Sequence, residues 1–272
     1  MKQGKQDDGF RMSDALWGQM EPLLPEPKPH PLGCHRPRVP NRAAMDAILL
    51  VLRTGMQWNA LDGTGICTCS SAYRRFREWI DAGVFAKFWR MGLLEYDELQ
   101  GIDWSWLAMD GAMTKAPLGG KKTGPNPCDR AKGGVKCSML TEAAGVPLAV
   151  EVAPANRHDM KLVAATLASM MCARPLGAGK IKLCLDLGYD YDEVRHIVHL
   201  AGFEPVILIR RDEQENKKQR GARARRWVVE RTHSWLNRFR RLLVRWEKRE
   251  DTYLAMLQFA CGLIAWQSAL SK

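Results

Sequence analysis

Five short apolar runs alternate with segments of helical spacing after Trp104, and they limit the possible folds of this chain more than any other feature. They lie at residues 107–110, 135–141, 147–152, 181–186 and 205–209. Runs this short suit buried strands better than helices. Residues 159–171 and 191–200 have helical spacing between the later runs, as crossover connections do, so the expected class is α/β with a mixed sheet. Two runs end in a carboxylate, Asp110 and Asp186. Strand ends in such sheets are where sites tend to be built. On neighbouring strands, at about 4 Å and an effective dielectric near 20, two carboxylates repel by roughly 4 kcal/mol. The pair then needs a proton or a cation, and a hard divalent ion with oxygen ligands serves.

Charge is the second constraint. Of the formal net charge of +11, residues 210–249 carry +10, from fifteen Lys and Arg against five acids. A clustered basic stretch reads as a phosphate-binding surface, with a solvated helix face as the alternative. Within it stands Glu230. Read as one helix, residues 223–249 align Val228, Thr232, Trp235, Phe239, Leu242 and Trp246 as an apolar stripe. Arg226, Glu230, Ser234, Asn237 and Arg241 lie roughly opposite. A helical ion pair of Glu230 with Arg226, or with the neighbouring Arg231, is the structural alternative, stabilising by only about 0.2–0.5 kcal/mol. Two acid-ended strands followed by an acid on a helix favour a metal-dependent nuclease site facing DNA.

The N-terminal 100 residues read as helical. Ser13 caps a first helix that runs to about Leu24, and Pro25, Pro27, Pro29 and Pro31 impose an extended connector. Residues 42–52 form an amphipathic helix stopped by Gly55. A third starts at Ser70 or Ser71 and runs through Ile80, with Ala72, Phe76, Trp79 and Ile80 inward and Arg74, Arg75 and Arg77 largely outward. Helix, turn and basic helix suggest a small DNA-reading module. The expected organisation is therefore a helical DNA-binding domain over 1–100 and a sheet domain over 101–272. Residues 252–270 form an apolar helix long enough to raise a membrane question, but Gln258, Gly262 and Gln267 favour a core or partner-facing role. No secretory leader is recognisable, so the expected compartment is the cytoplasm.

Other features resolve to structural roles. The eight cysteines contain no C-x-x-C pair and are expected to be reduced. A zinc site from Cys34, His35, Cys67 and Cys69 fits no finger spacing. The loop over 111–134, with Gly119-Gly120-Lys121-Lys122-Thr123, lacks the order of a nucleotide phosphate loop and reads as a surface loop on DNA backbone. Asp159 is assigned a helix cap, and Asp190 and Asp192 helix-start roles. Trp104, Trp106, Trp227 and Trp246 are placed in the core, in preference to stacking on flipped bases.

The run from Arg226 to Arg241, with Asp186-Leu187-Gly188-Tyr189-Asp190 and Asp110-Gly111-Ala112-Met113-Thr114-Lys115-Ala116, resembles the DDE transposases of bacterial insertion sequences. So do Gly124-Pro125-Asn126-Pro127-Cys128-Asp129-Arg130, Ala155-Asn156-Arg157-His158-Asp159, Leu52-Arg53-Thr54-Gly55-Met56-Gln57-Trp58 and Tyr73-Arg74-Arg75-Phe76. The resemblance spans about Trp17 to Gln267. It implies a ribonuclease H-like catalytic fold, a helical N-terminal DNA-binding region and three metal-binding acids at Asp110, Asp186 and Glu230. Two Mg²⁺ ions are the implied cofactor, with Mn²⁺ able to substitute. The implied partners are element terminal inverted repeats and target DNA, no membrane, and at least a second copy of the chain in the active complex. DNA contacts are expected from Arg74, Arg75, Arg77, Lys121, Lys122, Arg226, Arg231, Asn237, Arg238 and Arg241. Leu187 stands where a lysine is common, and Asn237 where a basic residue is common. The second departure leaves the grip on the terminal phosphate to Arg238 or Arg241. Two other readings remain: a nuclease that cuts without joining, and a transposase-derived DNA-binding regulator without chemistry.

Overall fold

A computed structural model describes residues 9–26, 37–175, 177, 179–207 and 227–271. Its centre is a mixed sheet in which β1 (Trp106–Lys115) lies between β3 (Gly133–Glu142) and β5 (Ile181–Leu185). β1 runs antiparallel to β3 and parallel to β5. Outward from these, β4 (Pro147–Pro154) and the short β2 (Gly124–Pro125) both pair antiparallel with β3, and β6 (Phe203–Ile207) pairs parallel with β5. Leu107, Ala108, Met109, Met139, Leu140, Leu148 and Ala149 are fully buried. Strands covered on both faces read as continuous apolar runs, which is how this sheet was written in the sequence. The arrangement is the expected ribonuclease H-like mixed sheet with flanking helices, preceded by a helical N-terminal region.

In that region Ser13 caps α1 (Asp14–Met20), its hydroxyl accepting from the Leu16 amide. α2 (Asn41–Thr54) ends at Gly55 in the left-handed conformation, φ 73°. A Cβ at Gly55 would stand 3.1 Å from the Arg240 backbone, so glycine serves both the cap and a close approach. α3 (Cys69–Asp81) follows, and then α4 (Val84–Leu99), a helix with no side-chain cap, entered through Gly83 at φ 68°.

α4 was not expected from the sequence, and it explains the C-terminal helix α8 (Glu250–Leu270). The two pack closely at glycines. A Cβ on Gly92 would lie 2.7 Å from the Trp266 ring, and one on Gly262 would lie 2.7 Å from Phe88. Trp266 Nε1 donates to the Phe88 carbonyl at 3.2 Å. Among the described residues α8 alone is long and apolar enough to cross a membrane, and 72% of its most apolar window is buried inside the protein. One apolar core runs continuously from the N-terminal helices through the sheet to α8.

Several local expectations need correction. The strand carrying Asp110 does not end there, because pairing with β3 carries it on to Lys115. The segment after 223 is not one helix to 249. Its residues up to 226 lie outside the described ones, and α7 (Trp227–Leu236) stops at Leu236. The chain is then drawn to the end of β1, where Val244 bridges Lys115 and the Arg245 amide donates to the Lys115 carbonyl at 2.8 Å. Phe239 and Leu242 stay buried, but Trp246 is 44% exposed. Residues 159–171 fold as a short 3-10 turn (Asp159–Leu162) and α5 (Val163–Ala168), with His158 as cap in place of Asp159. α6 (Asp192–Leu200) begins as expected, with Asp192 in its first turn and Asp190 ion-paired to Arg195.

Candidate active site

The β1–β5 register decides where the acids stand. Trp106 faces Lys182, Leu107 faces Leu183 and Ala108 faces Cys184. Two residues further along both strands the same register brings Asp110 level with Asp186. Parallel pairing stops at Ala108 and Cys184, while β1 goes on beside β3 alone. The acids therefore flank the point where the strands part, at the carboxyl end of β5, the usual place for a site in an open α/β sheet. Each is held by a local amide. Asp110 Oδ1 accepts from Gly111 N at 2.8 Å, and Asp186 Oδ1 accepts from Gly188 N at 2.7 Å, capping a 3-10 turn (Leu187–Tyr189).

That turn buries Tyr189 near the acids. Burial, and then the fields of Asp159, Asp110 and Asp186, push the Tyr189 phenol well above its ordinary pKa. Three carboxylates thus act on one buried hydroxyl. The first of these, Asp159, accepts from Lys136 Nζ of β3 at 2.7 Å, and its Oδ1 fills the space where a Cβ on Gly111 would come within 2.3 Å.

Glu230 is exposed on α7, which packs against β1 and β3. Thr232 Oγ1 donates to the Gly145 carbonyl at 2.6 Å, and Arg231 donates to the Ala144 carbonyl, its guanidinium lying 4.5 Å from the Trp227 ring and 4.7 Å from the Trp235 ring. His233, three positions after Glu230 and so adjacent on the helix surface, lies beside the Asp110 backbone, with its Nε2 buried and without a hydrogen-bond partner. Burial holds the His233 imidazole down to about 4, against the opposing effect of the Asp110 backbone. The helix carrying Glu230 is fastened to the 144–145 turn between β3 and β4 by Thr232 and Arg231.

The donor set suits a hard cation, since all three candidate ligands are carboxylates. Among the described residues, no three His, Cys, Asp or Glu side chains stand together closely enough to hold an ion as placed. Register brings Asp110 level with Asp186, and Glu230 stands exposed on α7.

A family model described as "Transposase DDE domain" matches residues 59–264. The chain belongs to the DDE transposase family. A second model, "Putative transposase of IS4/5 family", matches residues 12–89. The chain is 40% identical over 154 residues to a Burkholderia cepacia protein described as "Putative transposase for insertion sequence element IS402", covering 55% of this chain and 71% of that protein. It is also 38% identical over 122 residues to the "Insertion element IS402 uncharacterized 16.2 kDa protein" of the same organism, covering 43% and 80% respectively. The solved "Mos1 transposase paired-end complex with left transposon end" aligns over 79% of this chain and 80% of that one, at 10% identity and a TM-score of 0.27. DDE transposases are nucleic-acid-cleaving enzymes that generally use divalent metal ions.

The transposase's expected DNA contacts divide sharply by exposure. Arg74 and Arg238 are exposed, as is Asn237. Lys121 is largely in solvent, 3.5 Å from Glu250. Lys122 is held between Glu151 and Glu250, both at 2.8 Å. Arg75, expected to face outward, is buried and paired with Glu78 at 2.9 Å. Arg77 is engaged by Asp81 and Asp251. Arg241 is buried against Glu247 at 2.7 Å and donates to the Met56 carbonyl. Arg226 lies outside the described residues. Sequence reasoning missed Tyr189, the Lys136–Asp159 pair and the burial of the His233 ring; the signal for Asp159 was the Asn156-Arg157-His158-Asp159 motif, read as a helix cap. Cys67, Cys69, Cys128, Cys137, Cys172 and Cys261 are free thiols.

Proposed function

We propose that this chain is the transposase of an insertion sequence, binding the terminal inverted repeats of its element, cleaving there and joining the freed 3′ ends to target DNA. The single observation that carries the reading is the β1–β5 register, which levels Asp110 with Asp186 where the strands part. Asp110, Asp186 and Glu230 would hold two Mg²⁺ ions, with Mn²⁺ as a substitute. When bound, such ions activate the attacking water or 3′-hydroxyl and stabilise the leaving oxygen. The chain's own contribution is positional. Gly111 N and Gly188 N fix one oxygen of each strand acid, and α7, held at the 144–145 turn by Thr232 and Arg231, carries Glu230. Water or a terminal hydroxyl is the nucleophile, so no covalent protein intermediate is needed.

The helical region up to about residue 100 would recognise the element ends, and residues from about 101 would carry the chemistry. Arg74, Lys121, Asn237 and Arg238 are the best exposed of the candidate contacts to DNA backbone, with Arg238 the candidate for the terminal phosphate. A paired complex of at least two copies, acting on DNA in the cytoplasm and associated with the nucleoid when bound, fits two element ends being cut together.

The test incubates purified protein with end-labelled DNA from the flanks of its own gene, with Mg²⁺ or EDTA, beside Glu230→Gln. Nicking at the ends and joining to a second DNA, both lost with EDTA and in the variant, is the expected outcome. Cleavage without joined products would make the chain a nuclease. Binding without cleavage in any metal would sink the enzymatic reading and leave a DNA-binding regulator.

A further inference from the structure

Beyond the acids, the loop following α7 walls a cleft that the cleavage chemistry does not use. Two adjoining cavities of about 440 and 450 Å³ share Trp58, Asn59, Arg241 and Trp246. One of them opens further on Tyr73, Glu247, Lys248 and Arg249. Tyr73 and Trp246 are 39% and 44% exposed, a high degree for rings of this size. Trp58 meets Tyr73 edge-on at 5.2 Å and the buried Phe76 at 5.4 Å, which anchors this aromatic wall in the core. Residues 240–249 carry five arginines and lysines against one acid. That acid, Glu247, accepts from Arg241 Nε at its Oε1, while its Oε2 is buried with no hydrogen-bond partner.

We propose that this cleft receives an unpaired nucleobase of the bound DNA, stacked on Trp246, with the neighbouring phosphates on Lys248 and Arg249. The inference rests on the DNA-binding reading above and adds the form in which part of that DNA is held. Aromatic faces set among cations are what a single strand requires, because every base has a face to stack and every nucleotide a phosphate to neutralise. A paired duplex offers neither wall of this cleft an exposed base face. Each volume falls in the range of about 300–1,000 Å³ usual for small-ligand sites. Glu247 adds a choice among bases. A carboxylate oxygen accepts from the exocyclic amine of cytosine, adenine or guanine, which thymine lacks.

The location suits the same strand that reaches the acids. Val244 bridges Lys115, which lies five residues beyond Asp110 on β1, about 17 Å along a strand. A few nucleotides cover that distance.

The experiment measures binding of the full chain to labelled oligonucleotides by fluorescence anisotropy: a fully paired duplex, a fifteen-nucleotide oligo-dC and a fifteen-nucleotide oligo-dT. Trp246→Ala and Trp246→Phe are compared with the unaltered chain. The expected result is tighter binding of oligo-dC than oligo-dT, a loss of about tenfold for oligo-dC in Trp246→Ala, and recovery of most of it in Trp246→Phe. Equal weakening on duplex and single strand, or no weakening on oligo-dC, overturns the cleft proposal while leaving duplex binding to stand. A change in self-association in Trp246→Ala, with oligo-dC binding intact, also overturns it and assigns the cleft to a second copy of the chain. Failure of the unaltered protein to bind any of the three, duplex included, removes the DNA-binding reading and this proposal with it.

Discussion

Carboxylates on the sheet and guanidiniums after α7 are treated in opposite ways by this fold. Asp110 and Asp186 stand partly exposed where β1 and β5 separate, each with one oxygen fixed by a neighbouring amide. Arg241 and Arg245, from the most basic stretch of the chain, are buried. Arg241 is spent on Glu247 and the Met56 carbonyl. Arg245 donates to the carbonyls of Glu247 and Lys121 and lies 4.9 Å from the Tyr253 ring. The first pair is left accessible, as the proposed metal-holding acids need to be, and the second works as struts tying the segment after α7 to the N-terminal region and the 116–123 loop. Positive charge dense in sequence is therefore not the same as positive charge available to DNA.

The largest effect expected from this contrast is on stability. Arg241→Ala removes one partner of a buried ion pair and strands the Glu247 carboxylate, which costs about 3–5 kcal/mol. Replacing both, as Arg241→Met with Glu247→Leu, should recover much of that loss, because it is the unpaired charge that is expensive. Urea unfolding of the single and double variants measures both. If Arg241→Ala unfolds like the parent and only DNA affinity falls, Arg241 is a surface contact after all and the contrast breaks.

His233 sharpens the other side. Its pKa is depressed from about 6.5 to about 4, so the folded protein prefers the neutral ring. The unfolded chain takes up a proton first as pH falls. The stability this contributes is fully present above about pH 6.5, declines between there and pH 4, and is gone below. Such a depression corresponds to at most about 3 kcal/mol over that window. His233→Phe should flatten that part of the stability–pH curve. An unchanged slope between pH 6.5 and 4 would show that the ring is not held neutral against β1.

What the sequence disclosed, and what it concealed, follows the same physics. The sheet was legible because strands buried on both faces need unbroken apolar runs, and the adjacency of Asp110 and Asp186 followed from those runs. The end of α7 was not legible. Arginine and leucine both favour helix and Asn237 alone is a weak local stop, so the pattern reads on past Leu236; the chain is instead drawn to β1 at Val244 and Arg245, and that is a tertiary contact. α4 was missed because it has no side-chain cap and starts from a glycine. Arg75 was misplaced because helical spacing gives a face its direction but not its neighbours, and Glu78 closes over this one. Asp159 was read as a cap because its real partner, Lys136, is 23 residues away on β3.

The smallest effect tests whether the exposed cations do what the buried ones cannot. Arg238 lies just past the end of α7, exposed, while Arg241 three residues later is enclosed. Arg238→Ala should leave unfolding within about 0.5 kcal/mol of the parent. Its signature is electrostatic: with one fewer phosphate neutralised, the slope of log affinity against log salt becomes shallower by about one, and affinity falls evenly across DNA sequences. Arg74→Ala is expected to behave the same way if α3 meets DNA, whereas Arg75→Ala should act on stability through Glu78. The informative measurement is the salt slope itself for these three variants on one duplex. A slope that drops for Arg74 and Arg238 but not for Arg75 makes exposure, and not arginine content, the property that marks the DNA-facing side; equal slopes for all three would place the phosphates elsewhere on the molecule.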